Sequence, residues 1–456
     1  MSDSRYTIVH GASEVVVGPA DSVDGNDEDD GNDGEDDESN ERGGADSSPI
    51  RTVSDAAVVV ADGAVVAVGS SDDLGREYPP ENAETAIDAN GRCVLPGFVD
   101  PHTHAIFAGD RSDEFEAKLR GKSYQEILAE GGGILRTVRA VRETSEDELV
   151  ADLRDRLDTV LAHGTTTIEV KSGYGLAVDA ELKLLSAIDR AGEGHPVDVV
   201  PTFMGAHAVP DGSDAETYTD RVIEDQLPAV ADQGIADCCD VFCEDGAFSL
   251  EQSRRILEAG RKHGLVPKIH ADEFERLGGV RLAADLPAAS ADHLLRSTDE
   301  DVDALFSAGV TPVFLPGTAF GLGGEYPSLE PYRERGAIPA IGSDFNPNCY
   351  APSMGFAATL ACVGVGMTPA EAILGITARG ADALKSPDGF EGTGGSGRAG
   401  GREQADGRKR TDRRGTLEPG SPADLVVIDA PSYRHLPYVY DVNIVETVLK
   451  GGEVVA

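Results

Sequence analysis

The sequence CVLPGFVDPHTH at residues 93–104 decides the fold of this chain. It begins as an apolar run typical of a buried β-strand, and it ends on two histidines separated by one residue. Alternate side chains of an extended segment lie on the same side, so His102 and His104 can face one ion. An H-x-H pair alone is a weak signal, and it gains weight only if other polar strand ends lie beside it.

Seven further apolar runs follow, and most of them also end on a polar or ionisable residue. They end near Lys171, His207, Glu244, His270, His293, Pro316 and Asp344. Helical patterns lie between most runs, and helix-starting capping boxes are predicted for Ser145 with Glu148, Ser249 with Gln252 and Ser297 with Glu300. Eight strands alternating with helices over about 290 residues predict an α/β fold, a (β/α)8 barrel of the TIM type, with the polar strand ends at one mouth.

Short strand patterns also lie at both chain ends. Residues 56–69 turn at Asp62-Gly63, and residues 447–456 turn at Gly451-Gly452. Neither end has enough strands for an independent sheet. We therefore expect residues 1–93 and 386–456 to form one small β-sandwich domain, and residues 94–385 to form the catalytic barrel.

Two low-complexity inserts interrupt these patterns. Residues 21–47 are almost entirely Asp, Glu, Gly, Asn and Ser, and residues 388–415 are rich in Gly and Arg. Neither stretch can bury enough apolar surface to offset the entropy lost on ordering. Both are predicted to be disordered loops.

The chain is strongly acidic. Its 456 residues contain 82 Asp and Glu against 39 Lys and Arg, which gives a formal net charge of −43. Such a surface repels a phosphate backbone, which excludes a nucleic-acid binder. The acidic residues occur in every segment, which indicates an enzyme of a high-salt cytoplasm, where salt screens the self-repulsion. Ordinary acidity is the alternative interpretation.

The remaining compositional signals indicate a cytoplasmic location. Residues 1–11 lack the pattern of a secretory signal, and no apolar run approaches the roughly 18 residues of a membrane span, so no membrane partner is expected. The six cysteines have no paired spacing, and we expect reduced, mostly buried thiols.

The sequence PGFVDPHTH, the later histidines, Asp344 and the split β domain together resemble the amidohydrolase superfamily of metal-dependent hydrolases. A series of motifs in order along the chain is similar to that of the imidazolonepropionase family: GGGI at 131–134, EVKSGYGL at 169–176, TFMGAHAVP at 202–210, KIHADE at 268–273, SADHLL at 290–295, FLPGTAF at 314–320 and SDFNP at 343–347. The resemblance covers nearly all of the chain outside the two inserts.

The resemblance implies a metal centre in which His102, His104, His270 and Asp344 hold one Zn²⁺ or Fe ion. Three imidazoles and a carboxylate suit either metal. Binuclear relatives commonly use a carboxylated lysine at the end of strand four, where this chain has Cys243-Glu244. One metal ion is therefore favoured over two.

The implied reaction is hydrolysis of the cyclic amide C–N bond of 4-imidazolone-5-propanoate to N-formimino-L-glutamate, a step of histidine degradation. An amide carbonyl resists neutral water, so water must be activated and the developing oxyanion stabilised. Asp344 or His293 could take the proton of water, and Glu273 could pass a proton to the ring nitrogen. The choice of general base stays open at this level.

Substrate contacts are carried over from the family in the same way. Arg111 aligns with the arginine that binds the carboxylate of the substrate, and a guanidinium can hold a carboxylate bidentately. Glu273 also contacts the substrate in the family pattern. The remaining predicted contacts are Tyr174, His207, Asn346, Asn348 and Cys349. The last two stand where many relatives have Gly followed by Ser or Thr, which leaves a shifted substrate preference open.

Two other readings compete with this one. Another amidohydrolase, a cyclic amidase or a deaminase, would share the metal ligands, but a purine or pyrimidine ring needs no carboxylate clamp such as Arg111. An inactive barrel with a binding role would be expected to have lost ligands, and none is missing here. The resemblance also implies a homodimer acting on a small-molecule substrate.

We expect the thermal stability of the protein to rise with KCl concentration into the molar range. Screening relieves repulsion among surface carboxylates, and excluded salt strengthens apolar burial. Melting temperatures measured from low to molar KCl test this expectation. A melting temperature independent of salt would contradict the high-salt interpretation.

Overall fold

The computed structural model describes residues 5–20, 48–122, 126–127, 130–385 and 413–456. The acidic insert at 21–47 lies outside the described residues, as does all of the second insert except residues 413–415. Disorder of the inserts therefore stays a prediction.

Eight parallel strands form the barrel, in the order in which they occur in the chain. Each pairs with the next, and their carboxyl ends point to one mouth. The strands are β6 Phe98–Asp100, β7 Thr165–Lys171, β8 Asp198–Ala206, β9 Cys238–Cys243, β10 Val266–Ala271, β11 Ser290–His293, β12 Thr311–Phe314 and β13 Ala340–Ile341.

The first and last strands meet just beyond their ends. The backbone N–H of Asp344 donates to the carbonyl of His102 at 3.1 Å, and that of His104 donates to Phe345 at 2.9 Å. Thr103 and Phe345 form a parallel bridge between these hydrogen bonds. The predicted (β/α)8 barrel is confirmed.

Both chain ends contribute to the small domain. Its strands are β1 Thr7–Pro19, β2 Ile50–Ala61, β3 Ala64–Ser70, β4 Thr85–Asp88, β5 Cys93–Pro96, β14 Leu425–Ile428, β15 Val445–Lys450 and β16 Glu453–Val454. They form one mixed sheet in the order β16-β15-β14-β5-β1-β2-β3, and β4 also pairs with β1.

An isolated bridge between Ala64 and Pro422 joins the start of β3 to the segment before β14. The predicted β-sandwich therefore takes the form of one continuous sheet around an apolar core. The turn between β2 and β3 places Asp62 and Gly63 at positive φ, as a two-residue hairpin turn requires. Next to this turn, Val65 donates its N–H to Ser421 and Gly63 accepts from Ala423.

Gly97 divides the opening apolar run between the two domains. The run was expected to be a single barrel strand beginning near Val94, but Cys93–Pro96 pairs with β1 and β14 in the small sheet, and only Phe98–Asp100 pairs with barrel strand β7. A Cβ atom on Gly97 would lie 2.3 Å from the Thr166 hydroxyl oxygen. A residue without a side chain is therefore needed where the chain passes between the two sheets.

The described α-helices are α1 Ser71–Glu77, α2 Ser112–Leu119, α3 Ile134–Glu143, α4 Glu146–Ala162, α5 Val178–Gly192, α6 Ala215–Arg221, α7 Leu227–Gln233, α8 Leu250–Lys262, α9 Gly279–Asp285, α10 Asp299–Ala308, α11 Pro316–Leu322, α12 Glu330–Arg333, α13 Met354–Leu360, α14 Pro369–Gly375, α15 Ala378–Asp382 and α16 His435–Tyr438. Short 3₁₀ or π turns occupy Pro80–Asn82, Val222–Gln226 and Ala361–Val365. Among the described residues, no helix is long and apolar enough to cross a membrane.

Two of the three predicted capping boxes are confirmed, at the starts of α4 and α8. The third prediction, Ser297 with Glu300, is wrong by one residue. Asp301 accepts from the N–H of Thr298 at 2.9 Å and from its hydroxyl at 2.8 Å. Arg276 also binds Asp301, which favours this register over one that starts at Ser297. All six cysteines are free, and all but Cys362 are buried, as expected.

Candidate metal centre and active site

Three imidazoles converge at the barrel mouth. His102 and His104 follow strand β6, and His270 lies in strand β10. Every residue of β10 is buried, so the barrel fixes the direction of the strand. One ring nitrogen from each histidine lies within 4.8 Å of the others. The Nε2 atoms of His104 and His270 are 3.3 Å apart. The structure therefore brings together three of the four predicted metal ligands as one buried cluster.

Asp344, the fourth predicted ligand, faces the same point. Its Oδ1 atom lies 3.7 Å from Nε2 of His102 and 3.6 Å from Nε2 of His104. Its Oδ2 atom accepts a hydrogen bond from the hydroxyl of Thr318. Asp344 has φ +49°, a left-handed conformation held by the barrel closure. Burial raises the pKa of its carboxyl, although the Thr318 hydrogen bond opposes this shift.

Two buried carboxylates orient the histidines. Nδ1 of His102 lies 2.6 Å from Oδ2 of Asp292, and Nδ1 of His270 lies 3.1 Å from Oδ1 of Asp240. A carboxylate accepts from Nδ1–H, which leaves Nε2 with its lone pair directed at the cluster. Neither carboxylate was predicted as part of the site. The signal was an acidic residue inside an apolar strand, in CCDVFC and SADH.

The donor set fits a transition-metal ion. Among the described residues, Nε2 of His102 is buried without a hydrogen-bond partner. Burial lowers the pKa values of His102 and His104 well below the ordinary histidine range, so both rings are neutral near pH 7. Neutral imidazoles and one carboxylate are the ligands that zinc and iron accept. The cluster of His102, His104 and His270 is therefore able to bind a metal ion.

His207 and Tyr174, both predicted substrate contacts, lie against the imidazole cluster. The His207 ring stacks on His104 with centroids 4.6 Å apart, and Tyr174 lies 5.9 Å from His104. Nδ1 of His207 pairs with the carbonyl of Gly173 at 3.1 Å. Burial lowers the pKa of His207 to about 3, so this ring is also neutral.

Glu273 and His293 form a pair on another side of the cluster. Nε2 of His293 lies 3.6 Å from Oε2 of Glu273, and the His293 ring is 5.2 Å from that of His270. Burial raises the pKa of Glu273 well above the ordinary range, and Asp344 and Glu244 add to the shift. Burial lowers the pKa of His293. The pair thus combines a carboxyl that holds its proton to a higher pH than usual with an imidazole that resists protonation.

Arg111 occupies the N-cap position before helix α2, and its side chain is buried. Its Nε donates to Oε2 of Glu114 at 2.8 Å, and Glu114 also accepts the N–H of Gly133 at 2.9 Å. Within the described part of the chain, Nη2 of Arg111 has no hydrogen-bond partner. Lys118, which was not predicted, lies near Arg111 and donates to Oδ1 of Asn348 at 2.9 Å.

The loop after β13 uses its own polar groups. The Asn346 side chain donates to the carbonyl of Asp344 at 2.7 Å and accepts from the N–H groups of Asn348 and Cys349. The Cys349 thiol is buried and lies 3.8 Å from the carbonyl of Ser343. Asn346, Asn348 and Cys349 therefore form hydrogen bonds within the loop, and Asn348 also binds Lys118. The substrate contacts predicted for these three residues stay predictions.

Comparisons with known proteins agree with this architecture. The family model named Amidohydrolase family matches residues 108–456. Proteins named imidazolonepropionase are 54% identical over 449 residues in Haloarcula marismortui, covering 98% of this chain and 96% of the relative, and 43% identical over 412 residues in Geobacillus kaustophilus, covering 90% and 92%. A further relative of that name, from Halobacterium salinarum, is 55% identical over 456 residues and covers 99% of this chain and 98% of the relative.

Solved structures add support for the fold alone. An adenosine deaminase from Xanthomonas campestris with bound zinc superposes with a TM-score of 0.67 at 17% identity, over 98% of this chain and 92% of that one. The matches at 43% to 55% identity over nearly the whole chain carry more weight, and the metal-binding cluster has the composition that a metal-dependent hydrolase requires. The chain belongs to the amidohydrolase family and, within it, to the imidazolonepropionase family.

Proposed function

We propose that the protein hydrolyses the cyclic amide C–N bond of 4-imidazolone-5-propanoate to give N-formimino-L-glutamate. Water adds to the ring carbonyl carbon, the C–N bond breaks, and the released nitrogen takes a proton. The carbonyl carbon becomes a carboxylate. The observation that carries the proposal is the convergence of three histidine nitrogens and the Asp344 carboxylate beside the Glu273 and His293 pair.

One Zn²⁺ or Fe ion per chain would be held by His102, His104, His270 and Asp344. When bound, such an ion supplies Lewis-acid polarisation of the carbonyl and lowers the pKa of water. Lys171 does not resemble a carboxylated bridging lysine, because its ammonium lies 2.7 Å from both Asp240 and Glu169. Carboxylation needs a neutral amine, so these ion pairs favour a single ion.

We assign proton transfer to the His293 and Glu273 pair. A neutral imidazole can accept the proton of the attacking water, and a protonated carboxyl can deliver a proton to the departing ring nitrogen. Asp344 is less suited to the role of base, because one oxygen faces the histidine cluster and the other accepts from Thr318. His104, Tyr174 and His207 form an aromatic wall beside the ring of the substrate.

Arg111 is the residue that we expect to bind the propanoate group of the substrate. Glu114 fixes the guanidinium through Nε, and Nη2 remains buried without a partner among the described residues. A carboxylate that accepts from Nη2 would satisfy this donor and form a desolvated ion pair. Lys118 adds a second positive charge close to Arg111.

Turnover of freshly generated imidazolonepropanoate in molar KCl tests the proposed function. We expect His270→Ala to lose both the metal and the activity, because three remaining ligands seldom hold an ion in a competent geometry. Metal content and turnover are measured on the same preparations. His163→Ala, at the end of helix α4 and outside the cluster, is the control and should retain both. Full activity in a metal-free His270→Ala protein would contradict the proposal.

Replacing Arg111 should mainly weaken substrate binding. We expect Arg111→Met to raise KM by an amount equivalent to about 2 to 5 kcal/mol, because a desolvated ion pair is lost. Arg136→Met is the matched control, since Arg136 also approaches Glu114 but is 40% exposed and pairs mainly with Asp113. Steady-state kinetics should leave the control unchanged. Equal kinetics for both variants would place Arg111 outside the substrate site.

Removing the Glu273 carboxyl should change the pH profile. A proton donor must be protonated, so kcat should fall as pH rises through the raised pKa of Glu273. Glu273→Gln should lower kcat by roughly 10²- to 10⁴-fold and abolish this alkaline limb. The exposed neighbour Glu275, replaced by Gln, is the control. An unchanged limb in Glu273→Gln would assign the proton transfer to another group.

A further inference from the structure

A cluster of charged side chains lies within the barrel, adjoining the histidines. Burial of so many charges is unfavourable unless each is paired, and here two ammonium groups stand among four carboxylates. Every member is at most 1% exposed; they are Asp100, Glu169, Lys171, Asp240, Lys268 and Asp292. We call these six residues the buried ionic cluster.

Lys171 makes the contacts that join this cluster to the histidines. Its Nζ atom lies 2.7 Å from Oδ2 of Asp240, 2.7 Å from Oε2 of Glu169 and 4.0 Å from Oδ2 of Asp292. Asp240 and Asp292 are the carboxylates that accept from Nδ1 of His270 and His102. One ammonium thus faces both carboxylates that orient the candidate metal ligands.

The two oxygens of Asp240 have different partners. Oδ1 accepts from His270, at 3.1 Å, and from the N–H of Val241, while Oδ2 pairs with Lys171. An anchor on Oδ2 fixes the plane of the carboxylate and with it the direction of Oδ1. The rotation of the His270 ring then follows, because Nδ1 must point at Oδ1 and Nε2 at the cluster.

We infer that Lys171 is a positioning residue for the metal centre, which acts by holding Asp240 against Nδ1 of His270. The inference rests on the metal centre of the proposed function, but it concerns the affinity and geometry of that centre rather than the identity of the substrate. Lys171 itself contacts none of the candidate ligands through a hydrogen bond or ion pair among the described residues.

Lys268 offers a matched comparison within the same cluster. It is equally buried, and its Nζ donates to the carbonyls of Pro101 and Ala383 at 3.1 and 3.2 Å. It lies 3.6 Å from Oε1 of Glu169, but no hydrogen bond or ion pair of the described structure joins it to Asp240. Loss of Lys268 should therefore affect the fold much as loss of Lys171 does, without releasing the Asp240 carboxylate.

The first experiment compares Lys171→Met with Lys268→Met. The Zn²⁺ dissociation constant is measured by competition with a chromophoric chelator, and the geometry from the absorption spectrum of the Co²⁺-loaded protein. We expect Lys171→Met to weaken Zn²⁺ binding by roughly 10- to 100-fold and to shift the Co²⁺ bands, and Lys268→Met to stay within about threefold of the wild type. Equal affinities and spectra for the two variants would overturn the inference.

Charge-balanced double variants keep the inference testable if a single variant fails to fold. Glu169 pairs with both lysines, so Glu169→Gln can be combined with Lys171→Met or with Lys268→Met. Each combination removes one negative and one positive charge. The first combination should weaken Zn²⁺ binding relative to the second by at least about tenfold. Matching affinities, or loss of folding confined to the first combination, would overturn a positioning role.

The wild-type protein separates failure of this inference from failure of the proposed function. A wild type that binds no Zn²⁺, Fe²⁺ or Co²⁺ would refute the metal centre, and with it both ideas. A wild type that binds metal but does not turn over imidazolonepropanoate would refute the proposed function and leave the Lys171 comparison valid. Metal binding unaffected by Lys171→Met would refute only the inference drawn here.

Discussion

Closure of the barrel is the constraint on which the rest of the structure depends. The backbone hydrogen bonds between His102 and Asp344 and between His104 and Phe345 join the end of the first strand to the end of the last. Without this junction, Asp344 would not lie beside the Nε2 atoms of His102 and His104, because it lies at the far end of the barrel sequence. The same junction holds Asp344 at positive φ, where its side chain points back into the mouth. Closure of the barrel and the approach of Asp344 to His102 and His104 therefore depend on the same junction.

Much of this could be predicted from the sequence because the signals are local. Apolar strand runs, turn residues at Asp62-Gly63 and the capping boxes of α4 and α8 each act over a few residues, and the strand ends place His270 and Asp344 at one mouth. The role of Gly97 could not be predicted, because the split of the apolar run depends on which sheet each half joins. The pairing of Asp240 with His270 depends likewise on the register of neighbouring barrel strands, which no local pattern encodes.

The interior and the surface of this protein balance their charges in different ways. The surface carries a large acidic excess that mobile salt ions must screen, and the family members from halophilic organisms agree with that interpretation. Salt does not reach the buried ionic cluster, so fixed counter-charges are needed there. Of the eight lysines in the described part of the chain, Lys171 and Lys268 have no exposed surface, and both lie in this cluster. Lysine is scarce in the chain, yet two lysines lie in the buried ionic cluster, where a mobile salt cation cannot replace them.

The electrostatics of the site also tie metal binding to stability. Burial lowers the pKa values of His102, His104, His207 and His293, and in the unfolded chain these rings return to about 6.5. Above that pH these rings are neutral in both the folded and the unfolded protein, so their titration does not change the free energy of unfolding. As pH falls below about 6.5, the unfolded state takes up protons that the native state refuses, so the native state loses stability. His102 and His104, two of the candidate metal ligands, are among the rings that resist protonation, so acid should weaken the metal centre and the fold together.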